Sequence, residues 1–252
     1  AKDGSISQFK ARLCARGFTQ VKGVDFNETF APVVRGATLR FQLADAVRRK
    51  LYLDQIDFAA AFLQSPIDGE VWLRAPSGVN VPKGHMLRLQ KAMYGLKQSS
   101  HLWNMKLHKH LTELGFKQSV GDPCLYILSR KRGYITITTW VDDCVVAYSS
   151  PKHWQAVFEA MKAKMEMSRT GSLDYALGLE FRQAKDRSWV EVSQLKYVKN
   201  LETEFAAELN GLNTVNYDLP GIPGQEAEFA IHEEADPDAA ITGTKRYREL
   251  LG

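Results

Sequence analysis

Two adjacent carboxylates, Asp142 and Asp143, stand between two runs of β-branched and aromatic residues within residues 134–148. Such runs favour strands, so the acidic pair is predicted to form a tight hairpin turn between them. Adjacent like charges repel each other and lose hydration on burial, which is tolerable at an exposed turn or beside a bound cation. Taken alone, the pair is more commonly a polar hairpin tip than a metal site.

A third carboxylate, Asp57, ends a predicted strand over residues 51–57 and precedes a small, helix-prone segment. Such an Asp is often a helix cap, but active sites also collect ligands at strand ends. In an α+β arrangement, with an antiparallel sheet backed by helices on one face, this strand end and the hairpin tip can be neighbours. Three carboxylates there suit a pair of Mg²⁺ ions and in-line phosphoryl displacement, the reaction of nucleotide polymerisation.

Cationic side chains occur at even spacing in residues 6–16, where Lys10, Arg12 and Arg16 alternate with apolar residues. On a strand, residues two apart share a face, so these cations would line one side. Two interpretations remain open, namely an ordinary solvated face and a strip that contacts phosphates.

The elements that must position these side chains follow from periodicity and capping signals. Helices are predicted from Thr38, through Trp103 to a stop at Gly115, over residues 152–167, and from Ser193 to Gly211. Further strands are predicted over residues 71–73, 86–89, 123–128, 177–181 and 188–192. Residues 216–238 are rich in Pro, Gly and acidic residues and are predicted to be a surface loop.

The composition is that of an ordinary globular protein, with 252 residues, 44% hydrophobic and 25% charged. The net charge of +4 permits a polyanionic partner without requiring one. Cys14, Cys124 and Cys144 lie far apart, which favours free thiols over disulfides or a zinc site. His108 and His110 are two residues apart on a predicted helix, cannot chelate one metal, and are interpreted as surface residues. No apolar run is long enough to span a bilayer, so no membrane partner is expected.

Several blocks in a fixed order make the carboxylate constellation specific. They are residues 9–13 (FKARL), 16–20 (RGFTQ), 25–34 (DFNETFAPVV), 57–63 (DFAAAFL), 92–98 (AMYGLKQ), Trp103, 122–126 (DPCLY), 141–143 (VDD), 177–180 (LGLE), Ser193-Gln194 and Tyr197-Val198. With these blocks the sequence resembles, nearly from end to end, the reverse transcriptase of copia-type LTR retrotransposons.

The resemblance implies an RNA-directed and DNA-directed DNA polymerase that extends a primer from dNTPs. It implies a right-hand fold of fingers, palm and partial thumb, in which the palm is an antiparallel sheet backed by helices. Asp57, Asp142 and Asp143 would be the catalytic carboxylates and the ligands of two Mg²⁺ ions, with Mn²⁺ as a substitute. Asp57 and Asp142 would be the more direct ligands.

The resemblance also implies a dNTP site. Phe62 would crowd the 2′ position of the sugar and select deoxynucleotides, although an aromatic core residue is the alternative interpretation. Gln98 would lie near the incoming nucleotide. Lys10 and Arg12 would contact its triphosphate and offset charge on the phosphoryl oxygens.

The domain plan implied by the resemblance is a single reverse transcriptase domain over residues 1–252. Fingers would cover residues 1–50 and 64–100, the palm residues 51–63 and 101–192, and a partial thumb or connection residues 193–252. Both ends look cut from a longer polypeptide, with the RNase H portion absent. RNA template, DNA primer and template, dNTPs and the other Pol domains (RNase H and integrase) are the implied partners, in a cytoplasmic retrotransposon particle with nuclear entry as an option.

Three positions depart from the family pattern. Trp140 stands where the family usually has Tyr, Ala59 where it has Lys, and Ser100-His101 where it has Pro-Arg. None is a predicted metal ligand. They favour a second hypothesis, a catalytically decayed relic that only binds nucleic acid. A sheet-based RNA-recognition module is a weaker third, because its aromatic signature is missing.

Overall fold

The computed structural model of the chain describes residues 11–206. Lys10, the end of the last predicted helix and the predicted loop over residues 216–238 lie outside the described residues. The chain divides into two compact units, with the boundary between Ser193 and Gln194.

The described residues combine helices with antiparallel strands. The helices are α1 (Gly36–Arg48), α2 (Ser99–Glu113), α3 (Pro151–Lys162) and α4 (Leu195–Glu204), with 3₁₀ turns at Gly17–Thr19 and Ala61–Gln64. The strands are β1 (Tyr52–Phe58), β2 (Trp72–Leu73), β3 (Leu87–Arg88), β4 (Lys117–Gln118), β5 (Leu125–Arg130), β6 (Gly133–Trp140), β7 (Asp143–Tyr148), β8 (Met167–Ser172), β9 (Tyr175–Ala176), β10 (Leu179–Gln183) and β11 (Val190–Ser193). Apart from the cationic strand over residues 6–16, the predicted helices and strands are present among the described residues, with shifts at their ends.

The main sheet has six strands in the order β4-β5-β6-β7-β1-β8, and its pairs are antiparallel. Strand β1 lies between β7 and β8 although these follow it by many residues in sequence. Strands β9 to β11 form a separate three-stranded sheet, and β2 pairs with β3. The position of β1 beside β7 brings its end, with Asp57, next to the hairpin of β6 and β7.

Helices cover both faces of the main sheet, so the prediction of helices on one face was wrong. On one face Ile56 and Val146 pack in a core with residues of α2 and α3. On the opposite face Leu53 and Val145 pack with α1. Neighbouring residues of a strand point to opposite faces, so β1 and β7 need cover on both sides. Gln42 of α1, only 2% exposed, anchors that helix to the sheet.

Helix α1 starts two residues before Thr38, so the prediction that Thr38 caps it was wrong. The carboxylate of Asp122, distant in sequence, accepts hydrogen bonds from Arg35 N (3.0 Å) and Thr38 Oγ1 (2.5 Å). It also accepts one from Cys124 N at 2.9 Å. These bonds lower the pKa of the Asp122 carboxyl against the effect of its burial, which raises it. A residue of the block 122–126 therefore caps the helix from outside.

Residues 11–16 do not form the predicted cationic strand, since the structure assigns no regular element to them. The chain is instead held against the block 92–98, where Ala15 N donates to Tyr94 O at 2.8 Å. A Cβ at Gly17 would lie 1.9 Å from Gly95 O, and one at Gly95 would lie 2.1 Å from Ala15 O. Only glycine permits this approach. The two glycines therefore allow the backbones of residues 15–17 and 94–95 to pack closely.

Buried polar groups correct one further prediction. His110 is 5% exposed, so its interpretation as a surface residue was wrong.

The three cysteines are free thiols, as predicted, with Cys124 and Cys144 buried and Cys14 exposed. Within residues 11–206, no helix combines the length and apolarity needed to cross a membrane.

Candidate active site

Asp57 and Asp143 face each other across neighbouring strands. The register of β1 and β7 pairs them directly. Residues directly opposite in an antiparallel pair have Cβ atoms about 4.5–5.5 Å apart and share a face of the sheet. The strand end and the hairpin, 86 positions apart by numbering, therefore meet as expected from the sequence.

The acidic hairpin is tight, but its turn is shifted by one residue from the Asp-Asp pair. Trp140 pairs with Asp143, so Val141 and Asp142 occupy the turn and Asp143 already belongs to β7. Val141 has φ of 55°, a left-handed conformation that is unusual for a β-branched residue. The shift places Asp143 on the same face as Asp57.

Two hydrogen bonds from buried residues hold this turn. Trp103 Nε1 donates to Val141 O at 2.6 Å, and Phe58 N donates to Asp142 O at 3.2 Å. Trp103 is 1% exposed and meets the Phe58 ring edge-on, with ring centroids 4.9 Å apart. The backbone of the turn is therefore fixed by α2 and by the end of β1.

The three carboxylates interact electrostatically. Burial raises the pKa of the Asp143 carboxyl, and the charges of Asp142 and then Asp57 raise it further. Gln55 opposes this effect, since its Nε2 donates to Asp143 Oδ1 at 3.5 Å, the outer limit of a hydrogen bond. A cluster of this kind disfavours its own full ionisation, and a cation beside it would reverse that effect.

The donor set fits magnesium only in part. Within residues 11–206, no group of three or more His, Cys, Asp or Glu side chains could hold a metal ion by itself. Mg²⁺ is commonly held by one or two carboxylates together with water and substrate phosphates. The carboxylate oxygens around Asp143 fit a site of this kind, in which the protein supplies only some of the ligands.

Two of the residues predicted to bind dNTP, Phe62 and Arg12, contact the same aromatic side chain. Phe62 is half-buried against the core below the sheet, and its ring meets the edge of Tyr94 with centroids 5.1 Å apart. The exposed guanidinium of Arg12 lies over the same Tyr94 ring, 5.5 Å from its centroid. The structure therefore brings Arg12 and Phe62 to one aromatic side chain, whereas Lys10 lies outside the described residues.

Gln98 is fully buried, and its amide is engaged within the chain. Its Nε2 donates to Asp25 O at 2.9 Å, and its Oε1 accepts from Gln20 Nε2 at 3.0 Å. Gln20 Oε1 in turn accepts from Lys97 N at 2.8 Å. These bonds tie the blocks 16–20 and 92–98 together. The nucleotide contact of Gln98 stays a prediction.

Sequence reasoning missed two members of the site. Gln55 shares a strand face with Asp57, because residues two apart on a strand point the same way, and that spacing could have identified it. Tyr94 lies inside the block 92–98, but only the tertiary structure reveals its contacts with Phe62 and Arg12.

The sequence of the chain matches one protein family and several known proteins. The profile of the family described as reverse transcriptase (RNA-dependent DNA polymerase) matches residues 1–219. The chain is 34% identical over 202 residues to the retrovirus-related Pol polyprotein from transposon RE2 of Arabidopsis thaliana, covering 79% of the chain and 14% of the polyprotein. It is 30% identical over 209 residues to the corresponding polyprotein from transposon TNT 1-94 of Nicotiana tabacum, covering 81% of the chain and 16% of the polyprotein.

The chain therefore belongs to the reverse transcriptase family. Its similarity to Pol polyproteins of plant copia-type transposons confirms the resemblance drawn from the motifs. The chain spans about a seventh of the length of the first of these relatives, so the activities of the whole polyproteins are not carried over to it.

Proposed function

We propose that this chain is the polymerase part of a retrotransposon Pol polyprotein and extends a primer with dNTPs on an RNA or DNA template. The observation that carries the proposal is the direct pairing of Asp57 with Asp143 on one face of the sheet, beside Asp142 in the turn. Family membership supports the reaction class, because the matching family is described as RNA-dependent DNA polymerase.

In the proposed mechanism, Asp57, Asp142 and Asp143 would hold divalent cations together with the phosphates of the nucleotide. Two Mg²⁺ ions, or Mn²⁺ in their place, would stabilise the attacking and leaving oxygens of an in-line displacement. Burial and the charges of Asp142 and Asp57 raise the pKa of Asp143, and a cation bound there would offset these effects. The carboxylates keep the reacting groups in position, and that is the main contribution a protein makes to phosphoryl transfer.

The proposed nucleotide site uses Phe62 and Arg12 around Tyr94. A ring below the sugar leaves no room for a 2′-hydroxyl, and Arg12 with Lys10 offsets charge on the triphosphate. The contact of both Phe62 and Arg12 with Tyr94 supports this arrangement. Gln98 is proposed to lie near the incoming base. Its hydrogen bond to Asp25 O anchors the neighbouring segment.

We also propose a right-hand arrangement, with fingers at residues 1–50 and 64–100, a palm at residues 51–63 and 101–192, and a partial thumb at residues 193–252. The proposed partners are nucleic acid and the other Pol domains, RNase H and integrase. The proposed location is a cytoplasmic particle with nuclear entry.

Primer extension on an RNA template tests the function. The chain should extend the primer with Mg²⁺ or Mn²⁺, and Asp142→Asn should reduce the rate by about 10³-fold or more, as expected when a group acting on the transition state is lost. A folded chain that adds no nucleotide with either metal would sink the catalytic proposal.

The second candidate is a relic that binds nucleic acid without catalysis, favoured by the departures at Ala59, Trp140 and His101. The structure gives two of these residues local partners. His101 Nδ1 lies 2.7 Å from Phe30 O, and Ala59 N donates to Glu166 O at 3.1 Å. Equal template–primer affinity of wild type and Asp142→Asn, combined with no extension by either, would establish the relic.

The role of Phe62 is tested separately. Phe62→Val should let ribonucleotides enter, so the selectivity for dNTP over rNTP in primer extension should fall by about tenfold or more. Unchanged selectivity would return Phe62 to the alternative role of a core aromatic. Lys10→Ala should raise the KM for dNTP, and an unaltered KM would remove Lys10 from the site.

A further inference from the structure

The 3₁₀ turn that carries Phe62 has an unusual start. Strand β1 ends at Phe58, and Ala60 has φ 48° and ψ 47°, a left-handed conformation. Such a conformation is unfavourable for a non-glycine residue and persists where surrounding contacts determine it. The turn Ala61–Gln64 follows directly, so its direction depends on what holds Ala60 in place.

One side-chain amide provides that hold. Gln64 Nε2 donates to Ala59 O at 2.8 Å and to Glu166 O at 2.7 Å. Gln64 Oε1 accepts from Glu166 N at 2.9 Å. Both donor hydrogens and the acceptor of this amide are therefore used on two neighbouring backbone segments.

The position of these bonds explains their effect. The ladder of β1 and β8 runs to the pair Phe58–Met167, and Ala59 N still donates to Glu166 O at 3.1 Å. The next bond of the ladder would join Glu166 N to Ala59 O. The Gln64 amide takes both of these groups, so it is inserted into the end of the sheet in place of a strand peptide.

The same turn is held from a second side. Lys106 of α2 donates from Nζ to Gln64 O at 2.5 Å. Burial lowers the pKa of Lys106, and the charge of Lys91 lowers it further. Lys106 is half-buried, so its amine gains from the hydrogen bond to Gln64 O. Phe62, two residues before Gln64, is thus fixed between β8 and α2, with Tyr94 against its ring.

We propose that Gln64 is a positioning residue for sugar selection, which fixes Phe62 relative to Asp57 by inserting its amide between β1 and β8. The inference rests on the proposed polymerase function and on the role of Phe62 in it. Gln64 contacts neither nucleotide nor metal in this account. Its loss lets the turn move, and a displacement of about 1 Å can cost a reaction up to about 100-fold.

The test compares Gln64→Met, which keeps the length and removes all three bonds, with Gln64→Glu, which keeps only the acceptor. Gln183→Met is the matched control, because its half-buried amide donates to Leu51 O at 2.9 Å on the far end of β1. Lys106→Met removes the second hold and serves as an independent variant if Gln64→Met does not fold.

Two readouts are measured on the full chain. In primer extension, Gln64→Met should lower the dNTP over rNTP selectivity by about tenfold, with a smaller change in kcat for dNTP. Gln64→Glu should fall between wild type and Gln64→Met, and Gln183→Met should match wild type. Hydrogen exchange of residues 59–65 should be faster in Gln64→Met and Lys106→Met, without a change in residues 179–183.

Unchanged selectivity in Gln64→Met, while Phe62→Val lowers it, overturns the inference and leaves the proposed function intact. Unchanged exchange of residues 59–65 overturns it as well. A folded wild-type chain that extends no primer overturns the proposed function, and the selectivity claim falls with it. An equal loss of selectivity in Gln183→Met would show a general effect of stability and would also contradict the inference.

Discussion

At the scale of single residues, the site combines charge repulsion with a strained turn. Asp143 lies among like charges, and Val141 takes a left-handed conformation that costs a β-branched residue about 1–3 kcal/mol. Both features oppose the stability of the metal-free protein. The turn conformation is maintained by hydrogen bonds from Trp103 and Phe58.

Removing one charge should therefore stabilise the metal-free protein. Because the pKa of Asp143 is raised on folding, its contribution to stability is present at low pH and lost as pH rises through the folded pKa. At pH 7 in a chelator, Asp143→Asn should raise the Tm by about 2 °C. Added Mg²⁺ with dNTP should raise the Tm of wild type and leave the variant unchanged.

Asp186→Asn provides the control with opposite sign. Hydrogen bonds from Ser188 lower the pKa of Asp186, so loss of this carboxylate should not raise the Tm. A decrease in the Tm of Asp143→Asn in metal-free buffer would contradict the electrostatic description of the cluster.

At the scale of elements, helix α2 connects the hairpin turn to the core. Trp103 packs inside the main core and donates a hydrogen bond to Val141 O. Helix α2 therefore helps to fix the backbone of the turn that carries Asp142. Trp154 of α3 offers a comparison, because its Nε1 donates to Asp54 Oδ2 at 2.8 Å on the sheet face opposite to Asp57.

Trp103→Phe should lower both stability and activity. We expect the free energy of unfolding to fall by about 1–3 kcal/mol through the lost hydrogen bond, and the extension rate to fall about tenfold as the turn moves. Trp154→Phe should lose comparable stability but keep the rate of the wild type at a temperature where both are folded. Equal rate losses in the two variants would remove α2 from the control of the site. Denaturant titration and single-turnover extension are the measurements.

The contact of α2 with α3 contains a buried histidine. Burial lowers the pKa of His110, and the charge of Lys164 lowers it further. A hydrogen bond with the backbone of Met161 and the charge of Glu113 oppose this shift, and Lys106 adds a smaller lowering effect. The Nε2 atom is buried without a hydrogen-bond partner among the described residues. The folded protein therefore keeps His110 neutral at pH values where the unfolded chain protonates it.

Stability should consequently decrease as pH falls below about 6.5, the ordinary pKa of histidine. One proton taken up on unfolding gives a slope of at most about 1.4 kcal/mol per pH unit. His110→Asn should reduce this slope between pH 6.5 and 5, whereas the exposed His85→Asn should not. The residual slope belongs to other groups such as His153, whose pKa burial also lowers. Equal slopes in wild type and His110→Asn would refute the assignment.

At the scale of the whole molecule, the main sheet has helices on both faces, and Asp57 and Asp143 share the α1 face. Gln42 connects the two layers there. Its Nε2 donates to Thr136 O (3.2 Å), Thr136 Oγ1 (3.1 Å) and Val145 O (3.2 Å), and its Oε1 accepts from Thr138 Oγ1 at 2.8 Å. A buried polar contact of this kind fixes the register of α1 on the sheet.

Gln42→Leu should be strongly destabilising despite its larger apolar content. Buried groups of the sheet would lose their partners, and each such group costs about 1–3 kcal/mol. Denaturant unfolding measures the loss, and Arg40→Gln on the exposed side of α1 should stay within about 0.5 kcal/mol of wild type. A loss below about 1 kcal/mol would indicate that water or another side chain replaces Gln42.

Much of the fold and the site could be predicted from the sequence. Trp103, Leu107 and Leu111 predicted α2, and the β-branched runs around the Asp-Asp pair predicted the hairpin of β6 and β7. Local preferences suffice where a segment's own periodicity determines its burial. The order of motifs identified the family, and the three carboxylates stay a prediction drawn from it.

Helix cover on both faces was within reach of the sequence but was missed. Residues 135–139 of β6 are buried without alternation, a pattern typical of strands covered on both sides. The β-branched run was interpreted as a strand without asking how many of its faces were apolar.

Other features depended on the tertiary structure, because they join residues far apart in the chain. Asp122 caps α1 from 87 positions away, and Gln64 reaches Glu166 across 102 positions. The sequence by itself determined the local elements and the family, and it supplied the prediction that Asp57, Asp142 and Asp143 form one site. Only the packed structure decided that Asp57 faces Asp143, that Val141 takes the strained turn position, and which amides hold the site, since a hydrogen bond between distant segments leaves no periodic trace in either of them.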